Sequence, residues 1–266
     1  MNAIFKKYPV VSRFLLAIIL FGFSLFVTEF IQIDLIKKYF PFVSVILLTI
    51  STWFLYKTEN KTLKAIGLNL SFRNIGFLFL GLAIGAAALG LQKYITSFYT
   101  GEKWTVNPSV IIEKLALSLY IILPTVAVEE FLFRGYLFKK TIEISSVVKA
   151  NIIFSVLFML VHILDANVLQ NPVQLIFLAV SIPVGHLLFA TALLKSKTLL
   201  FPIGLHWGNN WTAQHILGYN ANDSSLLLTT SNNNSSWTPF IIILFLFNGF
   251  FLLLTFLIWK WGSWKS

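Results

Sequence analysis

The stretch PFIIILFLFNGFFLLLTFLIW, residues 239 to 259, decides the fold. It holds no charged side chain, and its apolar residues run continuously instead of alternating, so it reads as a helix and not as a barrel strand. A bilayer core about 30 Å thick is crossed by roughly 20 apolar residues in a helix, which this run supplies. Working outward, comparable runs fall near 14 to 33, 39 to 56, 75 to 95, 111 to 133, 146 to 166, 172 to 194 and 199 to 217. The composition agrees: 57% hydrophobic, 16% aromatic and 11% charged residues, with a mean hydropathy of +0.81, exceed what a water-soluble domain can hide. The predicted fold is all-α, a polytopic transmembrane bundle of about eight helices, forming one domain over residues 1–266.

The charges orient this bundle. A net charge of +10 would fit nucleic acid only if the basic residues shared a soluble surface, and no stretch here provides one. With an even number of spans, Lys6, Lys7, Arg13, Lys57, Lys61, Lys64, Arg73, Lys139, Lys140, Lys149, Lys195, Lys197, Lys260 and Lys265 lie on the side of the termini. Lys37, Lys38, Lys93, Lys103 and Lys114 lie opposite, so both termini are predicted to be cytoplasmic and the chain a multi-pass protein of the cell membrane. The run 14–33 follows basic residues as a signal peptide would, but it is too long and lacks a small-residue cleavage site, and it reads as a retained span. Cysteine is absent, which excludes disulfides, thiolate metal sites and a cysteine nucleophile. Gly81 and Gly85 have the spacing that lets another helix approach closely. The Asn- and Ser-rich loop from Tyr219 to Trp237 reads as an exposed tether.

Against this background, ionisable residues at membrane depth need a partner or a task, since each costs roughly 2.5–3.5 kcal/mol on insertion scales. The run Glu129-Glu130-Phe131-Leu132-Phe133-Arg134 places Glu130 and Arg134 one turn apart, where they can form an ion pair, while Glu129 points about 100° away and stays free for chemistry. The plainer reading is a helix end whose two acids offset Lys139 and Lys140. Phe158 and His162 share one face of the next span, with Asp165 near enough to serve as a structural partner for the imidazole. His206 and Asn210 project together from a helix thinned by Gly204 and Gly208; they read as two donors for one atom or as polar glue between helices.

These three elements resemble, in order, the motifs Glu-Glu-x-x-x-Arg, Phe-x-x-x-His and His-x-x-x-Asn of the CAAX protease and bacteriocin-processing (Abi) family, the intramembrane proteases that include the Rce1-type prenyl-protein endopeptidases. The resemblance covers roughly residues 125–211, within a motif-bearing core of about 111–217, and His186 and His215 match none of the motifs. It implies hydrolysis of a peptide bond in a membrane-associated substrate, either a prenylated C-terminal peptide or lipidated protein, or a bacteriocin-like membrane peptide. On this reading Glu129, aided by His162, takes a proton from water, and burial is expected to raise its pKa. His206 and Asn210 donate to the oxyanion, and Glu130, Arg134 and Phe158 support them. Glu129, His162 and His206 also form a feasible zinc set, although the zincin motif is absent and an amide such as Asn210 suits an oxyanion better than a metal. Two other classes use the same residues: a transporter or proton relay, and a non-catalytic self-immunity or scaffold protein.

Overall fold

The computed structural model describes residues 8–31, 40–218, 225–230 and 237–261. In chain order the helices are α1 (Pro9–Phe30), α2 (Val43–Lys57), α3 (Phe72–Thr100), α4 (Ile112–Arg134), α5 (Tyr136–Ile144), α6 (Val147–Ile163), α7 (Ala166–Leu169), α8 (Pro172–Ser196), α9 (Leu200–Trp211) and α10 (Trp237–Lys260). Among the described residues, five apolar stretches are long enough to cross a membrane: Pro9–Phe30, Phe72–Thr100, Ile112–Ile144, Pro172–Ser196 and Pro239–Lys260. Helices α2 and α6 are apolar but only 15 and 17 residues long. At 1.5 Å per residue they reach about 23–26 Å, short of a hydrocarbon core of about 30 Å. Helix α9, with 12 residues, is shorter still and buried along most of its length. Lys6, Lys7, Lys37, Lys38 and Lys265, which entered the prediction of sidedness, lie outside the described residues.

Large apolar side chains cover the outside of the bundle, and small polar ones are buried beside its apolar clusters. Ile19, Phe23 and Phe26 of α1 are exposed, while Ser24 on the same helix is buried and its hydroxyl meets that of Ser51 on α2 at 3.0 Å. Where the outer solvent is hydrocarbon, apolar side chains gain nothing by turning inward, and small polar ones gain hydrogen bonds.

Two departures from the predicted all-α bundle are local. The loop expected to be a free tether supplies strand β3 (Leu227–Thr230), which pairs antiparallel with β1 (Lys103–Val106) and parallel with β2 (Leu217–Gly218). Thr and Leu in Leu227–Thr230 and Trp104-Thr105-Val106 have strand propensity that the neighbouring Asn and Ser residues obscured. Helix α4 stops at Gly135, and α5 continues as a separate amphipathic helix with buried Tyr136, Phe138 and Lys140.

Helix α9 is the element that positions the site, and it is seated on α3 by glycine against glycine. A Cβ at Gly81 would stand 2.6 Å from the carbonyl oxygen of Phe201, and one at Gly85 would strike that of Leu205. Reciprocally, Cβ atoms at Gly204 and Gly208 would strike the carbonyl oxygens of Leu78 and Leu82. The predicted close approach at Gly81 and Gly85 is therefore made by α9, whose own two glycines complete the interface. The corner before α9 is tied to the segment after α2 by Leu199 N donating to Ile66 O at 2.9 Å and Thr198 Oγ1 donating to Gly67 O at 2.8 Å.

Beyond the C-terminal end of α4, Lys140 on α5 lies between two acids, with Nζ 2.6 Å from both Glu59 Oε2 and Glu143 Oε2. Tyr136 donates to Glu59 Oε1 at 2.5 Å, and Lys61 reaches Glu59 at 3.2 Å. Burial alone would raise the Glu59 carboxyl, but the bonds from Lys140, Tyr136 and Lys61 outweigh it and hold the group below its ordinary value of 4.5.

Two outcomes follow from this packing. Gly85→Ala or Gly208→Ala must push two backbones apart, and an overpacked contact costs about 1–3 kcal/mol; the thermal midpoint in detergent should fall in each variant, while Gly22→Ala, where nothing stands within 4 Å, should leave it unchanged. A carboxyl depressed in the fold stabilises above its unfolded pKa and loses that contribution as pH falls through the folded value. The wild-type midpoint should therefore drop on acidification below pH 4.5, and Glu59→Gln should start lower and show less of that drop.

Candidate active site

The acid pair sits near the end of α4, and α9 crosses beside it. The register between the two helices is fixed by indole donors, with Trp207 Nε1 on the carbonyl of Leu119 at 2.8 Å and Trp211 Nε1 on Ser118 Oγ at 3.1 Å. An indole N–H inside a bundle needs an acceptor, and these two, spaced one helical turn apart, lock α9 so that His206 faces α4.

Glu130 and Arg134 are fully buried and paired at 3.1 Å. The same oxygen, Glu130 Oε1, also meets His206 Nδ1 at 2.8 Å. A carboxylate already held by a guanidinium accepts, so Nδ1 of His206 carries the proton and donates. The plainer reading of Glu129 and Glu130 as counter-charges for Lys139 and Lys140 does not hold, because Lys140 pairs with Glu59 and Glu143. Arg134 is enclosed by aromatic faces, its Cζ 4.0 Å from the ring centre of Phe158 and 5.2 Å from that of Phe189. Phe158 thus holds the cation that holds Glu130, a stacking contact suited to a planar guanidinium.

Glu129 behaves differently from its neighbour. Its side chain is 25% exposed, and Oε2 lies buried with no hydrogen-bond partner, 3.7 Å from His206 Nε2. Glu129 lines a cavity of about 570 Å³. His162, His206 and Asn210 line the same cavity, together with Phe158 and Phe189. The structure places five of the seven residues predicted for the site, Glu129, Phe158, His162, His206 and Asn210, around one cavity, with Glu130 and Arg134 paired behind them.

His162 Nδ1 lies 2.8 Å from the carbonyl oxygen of Phe158. A carbonyl only accepts, so this nitrogen is the protonated one and Nε2 keeps its lone pair. Asp165, which stood as an alternative partner for His162, instead caps α7 by accepting from the backbone of Asn167 and Val168. Among the described residues no three His, Asp or Glu side chains converge closely enough to hold a metal ion. Glu129, His162 and His206 border one cavity without forming a ready ligand set.

Several participants escaped sequence reasoning. Phe189 stacks on the His206 ring at 4.6 Å and 20°. An aromatic in an apolar span carries no signal of its own, so nothing could have singled it out. Trp207 and Trp211 were readable, as indoles flanking His206 and Asn210 that had to find acceptors. His186 is fully buried, with its ring against Phe138 and Phe158, in keeping with the packing role expected for it.

Residues 111–212 match the family model described as type II CAAX prenyl endopeptidase Rce1-like. No curated protein and no solved structure matches the chain. The matched stretch runs from the start of α4 to the end of α9 and contains every residue of the acid, imidazole and amide constellation. The chain carries an Rce1-like type II CAAX prenyl endopeptidase domain of the CAAX protease and bacteriocin-processing family.

Proposed function

We propose that this protein is an intramembrane endopeptidase that hydrolyses a peptide bond of a membrane-associated protein or peptide with a water activated by Glu129. The observation that carries the reading is the partnerless Oε2 of Glu129, directed at His206 Nε2 across 3.7 Å on the wall of a cavity that also holds His162 and Asn210. An unsatisfied carboxylate oxygen in a bundle core is costly unless a water or a substrate completes it.

The charges favour a shared proton. Glu130 and Arg134 cancel, so Glu129 and His206 together reach neutrality when one proton is divided between them. Glu129 is then ionised beside an imidazolium, or protonated beside a neutral imidazole, with no net charge buried in either case. In the first form Glu129 takes a proton from water while the water oxygen attacks the substrate carbonyl carbon. Nε2 of His162, left unprotonated by its bond to Phe158, accepts the second hydrogen of that water and aims it. The carbonyl oxygen becomes an oxyanion, to which the imidazolium Nε2–H of His206 and the amide of Asn210 donate. The tetrahedral intermediate collapses as Glu129 returns its proton to the leaving amine, and the C–N bond breaks.

Arg134 and Glu130 act at one remove, by keeping His206 Nδ1–H engaged so that Nε2 faces the cavity. Catalysis here would need both termini on one side no more than it needs eight crossings; the cytoplasmic placement stands as part of the proposal, on the bias of the basic residues. The substrate is a membrane peptide, prenylated or not.

Comparative proteomics of membrane peptides, using cells with wild-type protein or Glu129→Gln, tests the reading. Cleaved products should vanish in the variant, a loss of about 10²–10⁴-fold for a general base. Asn210→Ala should cost about 10²–10³-fold, as expected for one oxyanion donor, with the variant still folded. Undiminished cleavage with Glu129→Gln, or solute flux across vesicles without peptide products, would overturn it in favour of transport.

A further inference from the structure

The cavity does not end at the catalytic constellation. It continues to the small sheet, where Trp104 of β1 and Thr229 of β3 line it. These two residues are register partners across the β1–β3 ladder, so their side chains stand side by side on one face. Each carries a buried polar atom without a hydrogen-bond partner, Nε1 of Trp104 and Oγ1 of Thr229. Two such orphans on adjacent strands, both facing one cavity, form a donor beside an acceptor. That is the complement of one residue of an extended chain, whose N–H and C=O point to the same side, the C=O accepting from the indole N–H and the N–H donating to the threonine oxygen.

The chain sets the scale of the distance from the chemistry to the near strand of the sheet, with Thr229 and Trp104 beyond it. From His206 the backbone continues through α9 and the π-helical turn Thr212–Ile216 into β2, the strand beside β3. At about 1.5 Å per residue this places the sheet roughly 16 Å from His206 along that path. An extended peptide rises about 3.3 Å per residue, so it covers the gap in roughly five residues. Phe177, Ile182, Phe247 and Phe251 give the same cavity apolar lining, and Lys93 and Glu102 add charged lining.

Resting on the proposed protease reading, we propose that Trp104 and Thr229 form a substrate subsite that grips the main chain of an extended peptide roughly five or more residues from the scissile bond. The grip is on the amide and not on a side chain, so it selects for extended conformation and for length instead of sequence. β1 is an outer strand of the sheet, and the same peptide can lie along it.

The test uses the full chain with Glu129→Gln, reconstituted in phosphatidylcholine vesicles with a synthetic mixture of lipid-anchored decapeptides, and measures peptide retained by mass spectrometry. Adding Trp104→Phe, which keeps the ring and removes the N–H, should lower retention about tenfold, the size of one lost hydrogen bond of about 1.4 kcal/mol. Thr229→Val should do the same. A matched peptide series N-methylated at single positions should show one position whose methylation weakens retention by the unmodified site and leaves the Thr229→Val protein unaffected. Equal retention with and without the indole N–H, no sensitive position in the methylated series, or no retention at all would each overturn the subsite. Retention that depends on Trp104 in a chain whose wild-type form cleaves no peptide would instead sustain the subsite and overturn the protease.

Discussion

One oxygen atom organises the centre of this molecule. Glu130 Oε1 accepts from Arg134 at 3.1 Å and from His206 at 2.8 Å, in a place where all three side chains are almost fully excluded from solvent. A carboxylate in such surroundings is tolerable only with its charge met and its lone pairs occupied, and removing any one partner leaves an uncompensated group. The interaction joins α4 to α9 and fixes which imidazole nitrogen carries the proton. Glu129 owes its isolation to it, since both cations within reach are oriented first by its neighbour. The fold around it serves this geometry: the glycine interface brings α9 against α3, the indoles set its register on α4, and Phe158 and Phe189 enclose the guanidinium.

The cluster explains why two adjacent glutamates can take opposite parts. Successive positions on a helix diverge by about 100°, so one carboxylate turns into the protein and the other turns to the cavity. Oε2 is without a partner in both, but Glu130 has its other oxygen engaged twice inside the protein, whereas Glu129 lines the cavity. A second polar cluster, around Glu59, Lys140 and Glu143, has a different character. It has more acceptors than it needs for Lys140, faces no cavity wall that reaches Glu129, and ties α5 to the turn after α2.

Much of this was legible in the sequence because membranes make polarity conspicuous. Continuous apolar runs gave the helices to within a few residues, as with the run 172–194 against Pro172–Ser196, and the spacing of Glu130 and Arg134 gave their ion pair. Two things resisted. Strand β3 sits in an Asn- and Ser-rich loop, where four residues of moderate strand propensity become a strand only because β1 lies beside them. That pairing is tertiary, and local composition cannot announce it. The shared role of Glu130 was the second: spacing pairs it with Arg134 on its own helix, but its contact with His206 spans 76 positions of chain and depends on the crossing of α4 and α9. The glycines come between these cases. Gly81 and Gly85 declared a close approach without naming the partner, while Gly204 and Gly208, read only as thinning a helix around His206, were the other half of the same contact.

On the proposed function, the arrangement also resolves a tension in placing hydrolysis inside lipid. Water must reach the bond, yet the reactive groups must stay oriented where bulk water would loosen them. Here the two demands are met by different layers. Glu130, Arg134 and the faces of Phe158 and Phe189 form a dry backing in which hydrogen bonds keep their full strength. Glu129, His162 and Asn210, partly exposed, border the cavity where a water molecule can be held. His206 alone belongs to both, with Nδ1 in the dry layer and Nε2 toward the wet one. A side chain with two distinct nitrogens is what such a boundary requires, because protonation at one face is then decided by a bond at the other. Lysine or glutamine at that position could bridge the layers without transmitting this control, and for that reason the position calls for histidine.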